Sequence, residues 1–397
     1  MKRDLSAVII TNLMFSFVYF LPLVVLPLYV KRLGASLWLT GLVISFYYLT
    51  TTLFSIFWGV LSDIFGKRKI FLFSSLTGSA SVLFITSLVK IPLLVVLLMG
   101  AFGLVTSAFR PPTLAIVGTL ASTKDRGKFF GILSGSTSLG NAIGSFSGGL
   151  IAQYISIQMG LIIAAILAAI GAIFSLVFLR NTDKEIDTHF TMRSVWSELK
   201  KKLIPTSVQG SYVKKTKLHV LFGVTFIRYV SFWGIWTLFA VFLSTILGAS
   251  DFWVGFLIGI NFIWIAIFSG PVGKLCDKIG RKPMILMGLA GTAMVEIFYA
   301  LSPHYLWILP VQILLAYSYS SLENGSNSYV TDVSPEAQRA EAMGLLTTCI
   351  FGGGALGGFL GGMIAQYVGL PTMFLLMSCL PILGFIIIFI KLKETLI

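Results

Sequence analysis

Apolar runs about 20 residues long recur along this chain, separated by short stretches rich in glycine, proline, lysine and arginine. A helix crossing a bilayer needs about 20 mainly apolar residues, so each run reads as a membrane span. The pattern predicts twelve spans, at roughly 7–30, 38–60, 69–89, 91–120, 128–152, 157–180, 217–246, 251–273, 283–301, 305–333, 339–365 and 370–391. Lys2 and Arg3 precede the first run, which continues to Val30 with no small-residue cleavage pattern, so it reads as a retained helix and not as a signal peptide. The one long polar stretch, 181–216, mixes Asp183, Glu185 and Asp187 with Lys200, Lys201 and Lys202, and its segment Ser194 to Leu203 suits a short amphipathic helix. The expected architecture is an all-α membrane protein of twelve transmembrane helices in two pseudo-symmetric six-helix bundles. Residues 1–180 form the first bundle, 181–216 the linker and 217–397 the second bundle.

Composition narrows the classes. Of 397 residues, 56% are hydrophobic and 11% charged, with a mean hydropathy of +0.93, which leaves no polar helix faces to clothe a soluble core. The net charge of +14 would suggest nucleic acid in a soluble protein, but here it follows loop parity. Twelve spans put both termini on one side, and 24 of the 29 Lys/Arg residues fall there; the other side has only Lys31, Arg32 and Lys90. The positive-inside bias then places the termini and the linker in the cytoplasm of a cell-membrane protein, with the bilayer and not a nucleic acid as its surroundings. Cys276, Cys349 and Cys379 form no Cys-x-x-Cys group, and His189, His219 and His304 fall in loops or at helix ends, so neither a metal site nor a cofactor is indicated. No phosphate loop, kinase loop, nucleophile elbow or zinc pair occurs, which argues against an enzyme and against ATP-driven work.

The two halves repeat each other. Leu33-Gly34-Ala35-Ser36 returns as Leu247-Gly248-Ala249-Ser250 at an offset of 214, and Gly148-Gly149-Leu150-Ile151-Ala152-Gln153-Tyr154 returns as Gly361-Gly362-Met363-Ile364-Ala365-Gln366-Tyr367 at an offset of 213. Shared hydrophobicity does not produce a seven-residue match with one substitution, so the halves are structural repeats in parallel orientation. Between spans two and three stand Gly59, Asp63, Gly66, Lys67 and Arg68; between spans eight and nine stand Gly273, Asp277, Gly280 and Arg281, at the same spacing. These loops resemble the signature loop of the major facilitator superfamily, and the resemblance covers essentially the whole chain. It implies the twelve-helix fold of that family, and a conformational latch in each of the two loops. In such a latch the glycines permit a tight reversal, while the acid accepts from helix amides or pairs with a base as the halves close. Topology alone would explain the bases but not an acid held twice at one spacing.

Glycines recur in register in spans five (Gly140, Gly144, Gly148) and eleven (Gly353, Gly357, Gly361), where small residues let helix backbones approach closely. The spacing in span five resembles the antiporter motif of the family's drug/proton efflux branch, with Ser145 in place of its proline; close packing common to both halves explains it equally well. Met99 stands where many proton-coupled members have an arginine, which puts that route of coupling in doubt.

Three charges fall deep in spans. At about 1.5 Å per residue, Arg110 lies about 15 Å, Glu323 about 14 Å and Arg228 about 16 Å from the inner ends of their spans. Each costs at least about 2.5 kcal/mol on insertion scales, so each is a functional candidate, with a structural salt bridge between the halves as the alternative. Glu323 sits 213 residues after Arg110, and a later slip would make Asn324 the counterpart. Pro111 and Pro112 should break the helical ladder beside Arg110. The resemblance implies that spans one, four, seven and ten surround a cavity, and these charges fall on three of them. Aromatics gather on the same spans: Phe15 and Tyr19, then Tyr229, Trp233 and Trp236, then Tyr317 and Tyr319. Glu296, on span nine, reads as an internal polar contact.

The sequence thus points to a monomeric secondary transporter that exports small amphipathic organic molecules in exchange for protons. Uptake of a small polar or anionic solute, by symport or uniport, is the second reading, and a non-transporting receptor or scramblase the third.

Overall fold

The computed structural model describes residues 2–120, 126–179, 213 and 216–395. The first half comprises α1 (Lys2–Arg32), α2 (Leu37–Phe65), α3 (Arg68–Leu88), α4 (Pro92–Thr106), α5 (Arg110–Leu120), α6 (Arg126–Tyr154) and α7 (Ile157–Phe178). The second half comprises α8 (Leu218–Thr245), α9 (Asp251–Ile279), α10 (Arg281–Leu301), α11 (Ile308–Val333), α12 (Arg339–Val368) and α13 (Leu370–Lys391). No strand occurs among the described residues. The linker expected at 181–216 lies outside them, apart from Val213 and Thr216.

Eleven spans are long and apolar enough to cross a membrane, α4 and α5 together making one of them. The twelfth is α6, a 29-residue helix whose glycines and serines dilute its hydropathy. Two spans run further than the hydropathy pattern predicts. Helix α2 continues to Phe65 and α9 to Ile279, so Asp63 and Asp277 lie in the last helical turns and not in open loops. The stop comes at Gly66 and Gly280, whose φ values of 65° and 104° are left-handed conformations that a side chain disfavours.

Helix α1 packs on α6 and α7, α2 on α4, and α3 on α7; in the second half α8 packs on α12 and α13, and α10 on α11 and α13. The halves join through α2 against α12 and through α6 against α9. Both joints are backbone contacts made possible by glycine. A Cβ on Gly149 would lie 2.5 Å from the Asp251 carbonyl oxygen and 2.8 Å from Gly255 Cα, and one on Gly41 would lie 2.5 Å from the Gly358 carbonyl oxygen. The glycines singled out in the sequence serve the packing within each half: Cβ atoms on Gly140 and Gly144 would meet the Leu13 and Phe17 carbonyl oxygens of α1, and those on Gly353 and Gly361 the Phe226 and Gly234 carbonyl oxygens of α8. Gly148 faces Leu21 and Val25 of α1, and Gly357 faces Val230 of α8.

Polar contacts between the halves lie toward the face opposite the termini. There Arg32 pairs with Asp251, the Gln366 Oε1 accepts from the Leu37 amide at 2.9 Å, and the Gln153 Oε1 accepts from the Phe252 amide at 3.2 Å. The two glutamines are the repeated ones, and each closes the first turn of a helix in the other half. The bundles are therefore sealed at the far face by an ion pair and two hydrogen bonds.

Candidate functional site

The break between α4 and α5 builds one wall of the cavity. Pro111 and Pro112 lack the N–H groups that would close onto the Ser107 and Ala108 carbonyls, so α4 ends at Thr106 and α5 begins at Arg110. Side chains bond to carbonyls of the last turns: Thr106 Oγ1 donates to the Phe102 oxygen (2.7 Å), and the Leu104 oxygen, whose i+4 amide turns to Val105, accepts from Ser107 Oγ (2.8 Å) and Trp58 Nε1 (2.9 Å). Phe109 stacks on Phe15 with ring centroids 3.8 Å apart, and the next residue, Arg110, is left exposed.

Glu323 on α11 is also exposed although it sits at mid-depth, which is how a side chain facing an open cavity behaves. Arg110, Arg228 and Tyr319 surround it closely enough to act on its charge. No ion pair within 4 Å joins Glu323 to either arginine among the described residues. Tyr19 and Tyr229 stand in the same field, Tyr19 facing Arg110 and Tyr229 facing Arg228 and Glu323.

Arg228 is 0% exposed. Its Cζ lies 4.5 Å from the Tyr229 ring centroid and 4.6 Å from that of Phe232, and its Nε and Nη2 both reach Thr292 Oγ1 at 3.4 Å. Two desolvated cation–π contacts, each worth up to about 2 kcal/mol, hold a guanidinium that, among the described residues, lacks a carboxylate partner within salt-bridge distance.

An aromatic layer covers the cavity toward the far face. Tyr48 lies 4.4 Å from Trp233 and 5.9 Å from Phe351, both in the other half; Tyr47 links Tyr48 (5.2 Å) to Tyr19 (5.6 Å); and Phe20 meets Phe262 at 4.5 Å. Trp236 continues the layer, stacked between Phe232 and Phe239.

The structure thus gathers Tyr19, Arg110, Arg228, Tyr229, Trp233 and Glu323 around one space. It leaves two residues singled out in the sequence elsewhere. Tyr317 packs on Phe268 (5.9 Å) with its hydroxyl 3.7 Å from Met287 Sδ, on the side of α11 away from the cavity. Asn324 donates to the Ser320 carbonyl at 2.8 Å and faces Gly273. Gly59 faces Pro111 in the same way, which makes Asn324 the counterpart of Pro111 and Glu323 that of Arg110. Sequence reasoning missed Tyr47 and Tyr48 and left Tyr319 unassigned. Tyr319 was findable, because it precedes Glu323 by four residues and so shares its helix face.

In the signature loops, Arg68 Nη1 donates to Thr119 Oγ1 (2.8 Å) at the end of α5, and Arg281 Nε donates to Asp332 Oδ2 (2.8 Å) at the end of α11. Asp277 pairs with Arg281 at 3.1 Å, within its own half. Lys67 and Asp63 are exposed at the terminal face.

Two helical bundles sealed at one face around a polar, aromatic-lined space at mid-membrane define a solute transporter. The chain belongs to the Major Facilitator Superfamily, whose family model matches residues 8–211 and 221–396. It is 26% identical over 378 residues to an uncharacterized MFS-type transporter of Methanocaldococcus jannaschii, covering 93% of each chain. The multi-drug resistance efflux pump PmrA of Streptococcus pneumoniae is 32% identical over 145 residues, 36% of each chain. Among solved structures, a bacterial homolog of the human lysosomal transporter Spinster, in an inward-facing and unoccupied conformation, superposes with a TM-score of 0.79 at 14% identity, over 97% of this chain and 95% of that one.

Proposed function

We propose that this chain is a proton-coupled exporter of small amphipathic organic molecules that works by alternating access, with the terminal face in the cytoplasm. The observation that carries the reading is Glu323: a mid-depth carboxylate open to the cavity, facing two arginines yet ion-paired with neither. A carboxylate so placed can exchange a proton with water and be claimed by an arginine in another conformation. The tyrosine and tryptophan layer supplies apolar area with hydroxyl handles, which suits an amphipathic solute. The partial likeness to an efflux pump supports export, and the Lys/Arg bias of the sequence supports the cytoplasmic assignment. Asp63, Asp277 and their neighbouring bases act as the latch of the terminal face, Asp277 being paired with Arg281 of its own half in this conformation. The functional unit is the monomer, since one chain encloses the cavity.

Uptake of an anionic solute is the second reading, favoured by the exposed guanidinium of Arg110. Proteoliposomes separate the two. With a panel of labelled amphipathic cations and organic anions, a pH gradient should drive solute toward the side of proton excess. Glu323→Gln should abolish gradient-driven accumulation yet retain solute exchange. Accumulation by the Gln variant at the parent rate and pH dependence would remove Glu323 from coupling, and preferential transport of anions with the proton gradient would favour uptake.

A further inference from the structure

Behind the cavity wall a second carboxyl group, Glu296 of α10, is 2% exposed. Its Oε2 lies 2.7 Å from Ser231 Oγ of α8, and its Oε1 has no hydrogen-bond partner among the described residues. Ser231 Oγ also lies 2.8 Å from the Met377 carbonyl oxygen of α13. A hydroxyl has a single hydrogen, whereas both neighbours can be acceptors, so the protons must be counted.

The Met377 carbonyl would ordinarily accept from the amide four residues on. That residue is Pro381, which has no N–H. Only a donor can satisfy a carbonyl oxygen, and Ser231 is at hydrogen-bonding distance, so the serine hydrogen belongs to Met377. The serine oxygen is then an acceptor toward Glu296, and the hydrogen in that contact must come from the carboxyl group. The opposite assignment leaves the Met377 carbonyl without either donor and buries a carboxylate on one hydrogen bond, the costlier arrangement.

We infer that Glu296 is a buried proton-binding site, occupied in this conformation, with Ser231 as the acceptor of its proton and Met377 and Pro381 as the backbone device that sets the serine's orientation. The inference stands apart from the coupling role of Glu323. The charged group facing Glu296 from α8 is Arg228; Tyr299 faces it from its own helix; α11 contributes the neutral amide of Gln312, bonded to the Tyr299 hydroxyl at 3.3 Å; and α13 contributes the Met377 carbonyl. Arg228 Nη1 has no hydrogen-bond partner either. Loss of the proton to water would leave a carboxylate whose neighbouring cation is Arg228, the same buried guanidinium whose charge acts on Glu323. Arg228 is thereby shared between a carboxyl group inside the protein wall and one in the cavity, and the proton on Glu296 leaves it to the cavity.

Infrared spectroscopy of the full chain in lipid nanodiscs at neutral pH tests this, using 13C-labelled glutamate to mark carboxyl bands. The parent should show the carbonyl stretch of a neutral glutamic acid. Glu296→Gln should lose one carboxyl's intensity from that band, while Glu323→Gln should keep the Glu296 component. Ser231→Ala retains Glu296 but removes its acceptor, and should shift the frequency of the component. A parent without a neutral glutamic acid band, a folded Glu296→Gln variant with the full band, or a Ser231→Ala band identical to the parent's would each overturn the assignment. The serine variant keeps the test decisive if Glu296→Gln does not fold.

Discussion

At the scale of single residues the site holds charge at the expense of stability. Arg228 is fully buried on aromatic faces and a threonine hydroxyl, with no carboxylate within 4 Å among the described residues. Taking an unpaired charge out of water costs several kcal/mol, which two cation–π contacts of up to about 2 kcal/mol each only partly return, whereas breaking a true buried ion pair costs about 3–5 kcal/mol. Arg228→Met should therefore leave the thermal midpoint equal to or above the parent's while ending gradient-driven transport. A fall in the midpoint matching about 3 kcal/mol or more would show that Glu296 is charged and paired with Arg228. The residue scale is also where the sequence was hardest to read. Tyr317 and Tyr319 are two positions apart, so they point to nearly opposite sides of α11, and composition could not tell which faced inward. The i,i+4 relation to Glu323 selects Tyr319. Tyr47 and Tyr48 carried no comparable signal, because their place depends on packing between helices, Tyr47 on Tyr19 of α1 and Phe102 of α4, Tyr48 on Trp233 of α8 and Phe351 of α12, a tertiary fact.

At the scale of elements much was legible, since span lengths follow hydropathy and the break between α4 and α5 follows Pro111 and Pro112, although Pro22, Pro27, Pro271 and Pro381 lie inside continuous helices. What hydropathy misplaced were the ends of α2 and α9, where polar residues continue the helix past the apolar run until a left-handed glycine stops it. Two predictions belong here. Glu394 accepts from the Arg281 and Lys282 amides at 2.9 and 3.0 Å, closing the first turn of α10 beside the second signature loop. Glu394→Ala should cost about 1 kcal/mol, read as a lower thermal midpoint, because a carboxylate at a helix N-terminus is stabilising. An unchanged midpoint would show that the tail contributes nothing there. In the second, Gly149→Val places side-chain atoms where the Asp251 carbonyl and Gly255 Cα already stand, so α6 and α9 cannot keep their approach. In a cysteine-free background, Ser45→Cys, at a position now 4% exposed, should become reactive to an impermeant thiol reagent from the far face when Gly149→Val is added. Continued protection would mean that this contact does not hold the seal.

At the scale of the whole molecule the internal repeat predicted the arrangement, and the structure turns the repeat into paired devices. Arg68 with Thr119 answers Arg281 with Asp332, and Gln153 on α9 answers Gln366 on α2. The repeated glutamine was visible in the sequence as part of a seven-residue match, but its partner was not, because each cap forms across the halves. Arg32 with Asp251 has no such answer, so the far-face seal is symmetric in its hydrogen bonds and asymmetric in its charge. Alternating access requires this seal to open as the terminal face closes. Distances between spin labels in nanodiscs measure that directly, with one pair at Ser36 and Tyr367 on the far face and another at Lys67 and Lys278 on the terminal face, all exposed positions. On acidification from neutral pH, or on adding a transported solute, a population should emerge in which the far-face distance lengthens while the terminal-face distance shortens. Distances that stay fixed under every condition, or that lengthen together, would contradict the account.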